Sequence, residues 1–435
     1  MERDLADGAC GPGVEREAAE PARLFAAGHQ RSSKCVITPD GAAARLEHGN
    51  DAAMLDRKSK TGLRTRLLVF ARLRFGLTNF LMAAFLSALL QGGYVIWLVL
   101  GVTLLGWAAA DELGGDDRDF PLDKPHWFYE ANLYATLPLI VAISFVYARD
   151  LRAADLESLD LARVVCIIAT AIGVGAFYGL AANVVGHELI HRSNQPVART
   201  VGRMLFAFSF ECAFPFFHLR VHHRDAGIFS DPSTGRRGES FYAFAPRIIG
   251  GTLRAAFDYE SRRLERLGKN PWNWRNRMLR GEAWSIAILI AFAGLGGLRG
   301  AAGFLASAAI GKVLLAAISY SQHYGLVRVE GAPFTARHAW DCYRPISDAL
   351  LYNLPRHSDH HLHGGKTYCE LGTTSQAPEL PYGYHTMALI ALVPPLWNRI
   401  MGPLLADWDR RLASEGERRL LHERGWASET EVVRI

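Results

Sequence analysis

Nine of the sixteen histidines in this 435-residue chain fall in four tight groups, and imidazole at that density is the first chemistry the sequence offers. His187-Glu188-Leu189-Ile190-His191 places two imidazoles at i, i+4, on one face of a helix. His218-Leu219-Arg220-Val221-His222-His223 repeats that spacing and adds a neighbour. His323 stands in Ser321-Gln322-His323-Tyr324-Gly325, and His357-Ser358-Asp359-His360-His361 holds both i, i+3 and i, i+4 pairs. A lone pair at helical spacing is more often structural than ligating. Nine imidazoles buried without a metal would leave many polar nitrogens in search of partners.

Nine nitrogens exceed what one first-row ion takes. Two ions sharing them would hold four or five each and keep a position open. Imidazole suits zinc, copper, iron and nickel alike. Structural zinc is closed and tetrahedral, and catalytic zinc commonly keeps three protein ligands. A nitrogen-rich pair of sites therefore fits redox work with O₂ better than hydrolysis. His187–His191 also matches H-E-x-x-H, with Glu188 as the general base of a membrane zinc metalloprotease, but such an enzyme has no use for the other three groups. A histidine-rich metal transporter is a third possibility; it would carry its imidazoles in mid-membrane rather than at the ends of spans.

Those ends are defined by six apolar stretches, near residues 77–90, 94–110, 129–147, 164–185, 283–298 and 301–319. The shorter ones are close to the lower limit of the ~20 residues a spanning helix needs. The expected fold is an all-α membrane protein of six transmembrane helices with a cytoplasmic histidine-rich catalytic region. With the N-terminus inside, segments 111–128, 186–282 and 320–435 are inside too. Sixteen Lys and Arg residues lie between Arg192 and Arg280, and the positive-inside rule then puts the histidine groups at the cytoplasmic face, in a bacterium the inner membrane. The net charge of +5 is small, and no nucleic-acid partner is expected.

Residues 1–66 lack periodicity over most of their length and are expected to be a disordered extension, without the basic-then-apolar pattern of a signal peptide. The catalytic domain is expected over 67–405, and 406–435 as a polar tail. The six cysteines (Cys10, Cys35, Cys166, Cys212, Cys342 and Cys369) form no C-x-x-C pair, and there is no dinucleotide-binding glycine fingerprint. Electrons for any redox reaction must come from a separate carrier. The basic segment 192–280 would attract an acidic one, through an attraction that salt screens.

The histidine boxes together resemble the integral-membrane fatty acid desaturase/hydroxylase superfamily, and more sharply its alkane 1-monooxygenase branch. Asp231-Pro232 with Arg236-Arg237-Gly238-Glu239-Ser240-Phe241, Gln322-His323-Tyr324-Gly325-Leu326, Asn353-Leu354-Pro355-Arg356-His357 and Leu380-Pro381-Tyr382-Gly383-Tyr384 carry the resemblance, which covers about 70–405. It implies a di-iron centre held by His187, His191, His218, His222, His223, His323, His357, His360 and His361. It also implies terminal hydroxylation of a hydrocarbon with O₂, and electrons from a rubredoxin-like carrier and its NAD(P)H-dependent reductase. His363 and His338 are given no ligand role. Two positions depart from the pattern: Phe217 and Gln322 stand where the family usually has Glu. Carboxylates beside ligating histidines orient the ring and raise its basicity. The segment Gln322–Arg328 is more similar to the related xylene monooxygenases. An aromatic methyl group or an acyl lipid, hydroxylated or desaturated, is thus the alternative substrate. Glu188, Asp225, Asp231 and Asp359 lie near enough in sequence to support the ligands from behind, each with a plain alternative as a solvated carboxylate.

Overall fold

The computed structural model of the chain describes residue 69 and residues 72–92, 95–118, 123–154 and 160–426; the expected disordered extension over 1–66 lies outside them. Eight helices build the bundle: α1 (Leu77–Gln91), α2 (Val95–Leu113), α3 (Trp127–Ala153), α4 (Leu161–Ile190), α5 (Pro196–Ala207), α6 (214–225), α7 (Phe241–Glu265) and α8 (Arg277–His323). Among the described residues there is no strand, only an isolated bridge between Asp341 and Glu379. The helices start where side chains can take up free amide groups. Asp160 accepts from the Arg163 amide before α4, and Asn276 accepts from the amides of Met278 and Leu279 before α8.

Among the described residues, five helices are long and apolar enough to cross a membrane: α1 with its preceding turn (Arg72–Gln91), α2, α3, α4 and α8. Their outer faces are apolar as well, with Phe80, Leu98, Leu105 and Ile290 exposed, the pattern of helices whose surroundings are lipid. The sequence led us to expect six stretches, and the difference lies in α8. It is continuous over 47 residues except at Gly297, whose φ of 65° favours glycine. The rings of Phe292 and Phe304 stack 4.9 Å apart, whereas twelve residues of straight helix would separate them by about 18 Å. The chain therefore doubles back near Gly297, and α8 is two antiparallel arms. The end of α3 closes on this reversal, with Arg152 donating to the carbonyls of Gly294 and Leu295.

The second arm of α8 runs against α4 at very short range. A Cβ on Gly175 would stand 2.7 Å from the Ser307 carbonyl, and one on Gly179 would stand 2.9 Å from that of Gly311. This is the small-residue contact that lets two apolar helices approach backbone to backbone. From that crossing His191 lies twelve residues on, capping the end of α4, and His323 twelve residues on in α8, so both helices deliver a histidine at the same level.

Five shorter helices cover that end: α9 (Pro345–Leu350), α10 (His357–Leu362), α11 (Tyr384–Ala391), α12 (Pro394–Arg411) and α13 (Glu415–Glu423). Asp111, at the end of α2, accepts from the amides of Ile346 and Ser347 and so fixes the start of α9. The polar stretch after residue 405 is folded as far as Trp426. Trp408 is buried, Asp409 pairs with Arg237 at 2.5 Å, and Glu417 accepts from His338 at 2.7 Å.

Candidate metal centre

Four elements bring the nine histidines into two adjacent groups. His187 and His191 come from the end of α4; His218, His222 and His223 from α6; His323 ends α8; His357, His360 and His361 come from α10. The nitrogens of His187, His191, His218 and His360 all lie within 4.8 Å of one another, as do those of His222, His323, His357 and His361. His223 stands between the two, its Nε2 3.0 Å from that of His218 and its ring 4.4 Å from that of His361. His218 and His222 share a face, as their spacing predicts, with rings stacked 5.3 Å apart. They nevertheless serve different groups. The segment carrying them, His218–His222, is a turn of π-helix, a local widening often found at functional sites.

The donor set fits metal on two counts. His218 Nε2 lies 2.8 Å from that of His187 and 3.0 Å from those of His191 and His223. One proton can bridge only one of those pairs, so the remaining lone pairs face each other until a cation enters between them. In the second group His357 Nε2 is 3.0 Å from that of His323 and 3.1 Å from that of His361. Two nitrogens on one ion at about 2.1 Å and a right angle are about 3.0 Å apart. His360 Nε2 is buried with no partner. Burial, reinforced by neighbouring imidazoles, pushes His218, His223, His357, His360 and His361 well below the ordinary histidine value, so these rings stay neutral and able to ligate.

The opposite ring nitrogens are held from behind. His222 Nδ1 donates to Asp231 at 3.0 Å, His323 Nδ1 to the His338 carbonyl at 3.0 Å and His191 Nδ1 to the Gly364 carbonyl at 3.2 Å. Each acceptor fixes the proton on Nδ1 and leaves Nε2 with its lone pair. Of the four carboxylates picked from sequence, Asp231 alone has a hydrogen bond to one of the nine. Glu188 pairs with Arg192 at 3.2 Å, which occupies the carboxylate a metalloprotease would need as base. Asp225 pairs with Arg224 at 2.6 Å, and Asp359 binds His363 and Lys366. His338 is engaged by Glu417 and His363 by Asp359, both outside the two groups. Phe217 is buried with its ring 5.8 Å from that of His222, and Gln322 is buried with its Nε2 unpartnered.

Sequence reasoning passed over the groups that hold α10. Asp341, fully buried, accepts from the Ser358 amide at 2.7 Å and from the Tyr343 hydroxyl at 2.8 Å. Burial pushes its carboxyl up to about 7 against those bonds. Arg356, next to His357, is buried between Asp348 at 2.9 Å and Asp117 at 3.2 Å. Their partners lie up to 239 residues away in sequence, and no local spacing signals them.

The family described as fatty acid desaturase matches residues 162–391, the span that contains all nine histidines. Alkane 1-monooxygenase 2 of Pseudomonas aeruginosa is 30% identical over 323 residues, 71% of this chain and 83% of that protein. The chain belongs to the alkane 1-monooxygenase family. Alkane 1-monooxygenase of Ectopseudomonas oleovorans matches at 30% over 71% of this chain and 79% of its own length. The xylene/toluene monooxygenase hydroxylase component of Pseudomonas putida matches at 28% over 80% of this chain and 93% of its own. This member of the alkane 1-monooxygenase family is an integral membrane oxygenase with a histidine-built metal centre.

Proposed function

We propose that the centre holds two iron ions, one in each histidine group, and that the enzyme hydroxylates the terminal methyl of an alkane with O₂. Iron bound there supplies the O₂ activation that attack on an unactivated C–H bond requires; one oxygen atom enters the product and the other leaves as water. The observation that carries this proposal is the pair of adjacent four-histidine groups, bridged by His223, at the shared end of two apolar helices. Counting the two arms of α8 separately gives six spans in this reading, and the basic segment 192–280 beside the histidines supports a cytoplasmic catalytic face at the inner membrane. Electrons arrive from a rubredoxin-like carrier and an NAD(P)H-dependent reductase.

The chain contributes alignment and dryness. A narrow apolar crevice lies among α1, α2 and α4, lined by Leu81, Leu100, Trp107, Phe177 and Leu180, and roofed by Leu350. Ala181, also in its wall, precedes His187 by six residues, about 9 Å along the helix. A hydrocarbon entering from the bilayer would lie along α4 with one end toward the histidines. Phe214 stacks on His218 at 4.9 Å and Phe334 on His361 at 4.8 Å, so carbon covers the rings where water would otherwise reach them.

The test is an assay of membranes containing the iron-loaded chain, with O₂, carrier and reductase, supplied separately with octane, hexadecane, xylene and an acyl lipid. 1-Octanol or 1-hexadecanol is the expected product. A second substrate, the methyl group of xylene, is favoured by the extended match to the xylene/toluene hydroxylase component and by Gln322 in place of Glu. Methylbenzyl alcohol as sole product would select it. Metal analysis giving one zinc and no iron would sink both.

A further inference from the structure

Away from the histidines, arginines crowd one flank of the bundle at the same end. Arg203 of α5 and Arg277 and Arg280 of α8 line a half-open cavity, with Thr200, Met204 and Trp284 on its walls. Arg199, one turn before Arg203, opens with Arg203 and Arg277 onto an adjoining recess. The acid that answers them is Glu260, and it is shared: it accepts from Arg277 at 2.5 Å and from Arg263 at 2.8 Å. The Nε atoms of Arg199 and Arg203 are buried with no acceptor. Burial, then repulsion from Arg277 and Arg199, holds the Arg203 guanidinium below its ordinary value. Arg199, Arg203 and Arg277 are half-buried and Arg280 is exposed, and one shared carboxylate does not balance them, so the cavity favours negative charge from outside the chain.

The cavity does not end at the charges. Arg280 and Trp284 also border a shallow groove that continues along α8 over Ala283, Ala287, Ile288 and Ala291. The three alanines recur at i, i+4 and i+8, a strip about 12 Å long in which small side chains leave a trough. Trp284, 44% exposed, stands at the junction, and tryptophan favours the boundary between headgroups and acyl chains. A cationic pocket at the end of a spanning helix, running into an apolar trough along it, matches a ligand with an anionic head and a hydrocarbon tail. Inorganic phosphate would use only the first half. A soluble acidic protein could not follow a trough that lies within the bilayer.

We propose that this cavity and groove bind an anionic phospholipid, its phosphate among Arg203, Arg277 and Arg280 and one acyl chain along residues 283–291. Basic pockets between spanning helices are suited to such headgroups. The bound lipid would also brace the metal centre. The guanidinium groups of Arg203 and Arg277 lie over the ring of Phe216 at 5.2 and 5.4 Å, two residues before His218. The lipid would thus tie α5, α6 and α8 together beside the ligands.

The experiment is native mass spectrometry of the full-length chain in detergent, incubated with phosphatidylglycerol, phosphatidylcholine or phosphatidylglycerol plus excess inorganic phosphate. Phosphatidylglycerol should be retained, phosphatidylcholine lost, and inorganic phosphate should not displace the lipid. Arg203→Gln with Arg280→Gln should weaken retention about 30-fold, from about 1 kcal/mol per arginine near a membrane surface. Ala287→Trp fills the trough, leaves every charge in place, and should also weaken retention; a poorly folded double variant therefore does not decide the matter. Arg262→Gln with Arg266→Gln, exposed at the C-terminal end of α7, should change nothing. Equal retention of the two lipids, or full retention by the double and the Ala287→Trp variants, overturns the proposal. So does displacement by phosphate alone, which marks a phosphate site. Loss of affinity for an acidic electron carrier in the double variant, with lipid retention unchanged, would assign the arginines to carrier docking instead.

Discussion

Replacing Asp231 by Asn changes one oxygen for a nitrogen and should weaken metal binding by the group that contains His222. Asp231 is fully buried and uses both oxygens as acceptors. Oδ2 takes the proton of His222 Nδ1 at 3.0 Å and that of the Thr234 hydroxyl at 2.9 Å, while Oδ1 takes the Ser233 amide at 3.1 Å. An asparagine has one acceptor. If its oxygen faces His222, its NH₂ meets the Ser233 N–H, donor against donor. If it turns over, the NH₂ faces His222 Nδ1, which must then accept. The imidazole proton moves to Nε2, and the lone pair that would bind metal is gone. Losing a hydrogen bond to a charged group costs about 1.5–3 kcal/mol. That agrees with the roughly 10–100-fold loss of metal affinity typical when a residue supporting a ligand is changed. The assay is competitive titration of ferrous iron against a chelator, read as iron per chain. Asp225→Asn, which loses only a pair with Arg224, serves as the control and should bind iron like the parent. Equal affinity in the parent and Asp231→Asn would refute the argument, as would equal losses in both variants.

Truncation after Leu405 removes the buried Trp408 and the partner of Arg237; deleting a buried tryptophan side chain alone costs about 3–5 kcal/mol, so a large fall in melting temperature and in yield is expected by thermal unfolding in detergent. In acid, Glu417 reports on the same region. Burial raises its value, but hydrogen bonds from His338 and Arg337 prevail and hold it down to about 2, from an ordinary 4.5. Its stabilisation is therefore complete above about pH 4.5 and is lost as pH falls toward 2; melting temperature should drop over that window, and less steeply in Glu417→Gln. Turnover with NADH and reductase should need an added small redox protein whose apparent affinity weakens as salt rises; activity with NADH alone would exclude the partner, and salt-independent affinity would exclude docking on the basic segment. Deleting residues 2–56 should leave iron content and turnover unchanged, checked on the purified truncated chain.

Local spacing was enough to find eight of the nine histidines, because pairs at i, i+3 and i+4 leave their signature within six residues of sequence; His323 stands alone and was marked by its place at the end of an apolar stretch. Apolar run length was likewise enough to find the long helices, since a span is a one-dimensional property of about 20 residues. It also marked the hairpin in α8, where Arg299–Gly300 interrupts the run, although the left-handed turn falls at Gly297. Tertiary structure alone decided how the nitrogens divide. His218 and His222 have the same spacing as His187 and His191, yet the first pair splits between two groups and the second does not. That division depends on a π turn and on which helix faces each ring. Spacing also could not rank the four nearby carboxylates. Asp231 reaches His222 because the chain folds back across nine residues, whereas Asp225, only three residues from His222, turns to Arg224. The contact of Arg356 with Asp117 and the pairing of Glu417 with His338 join residues 239 and 79 positions apart, and such contacts exist only once helix packing has brought the segments together.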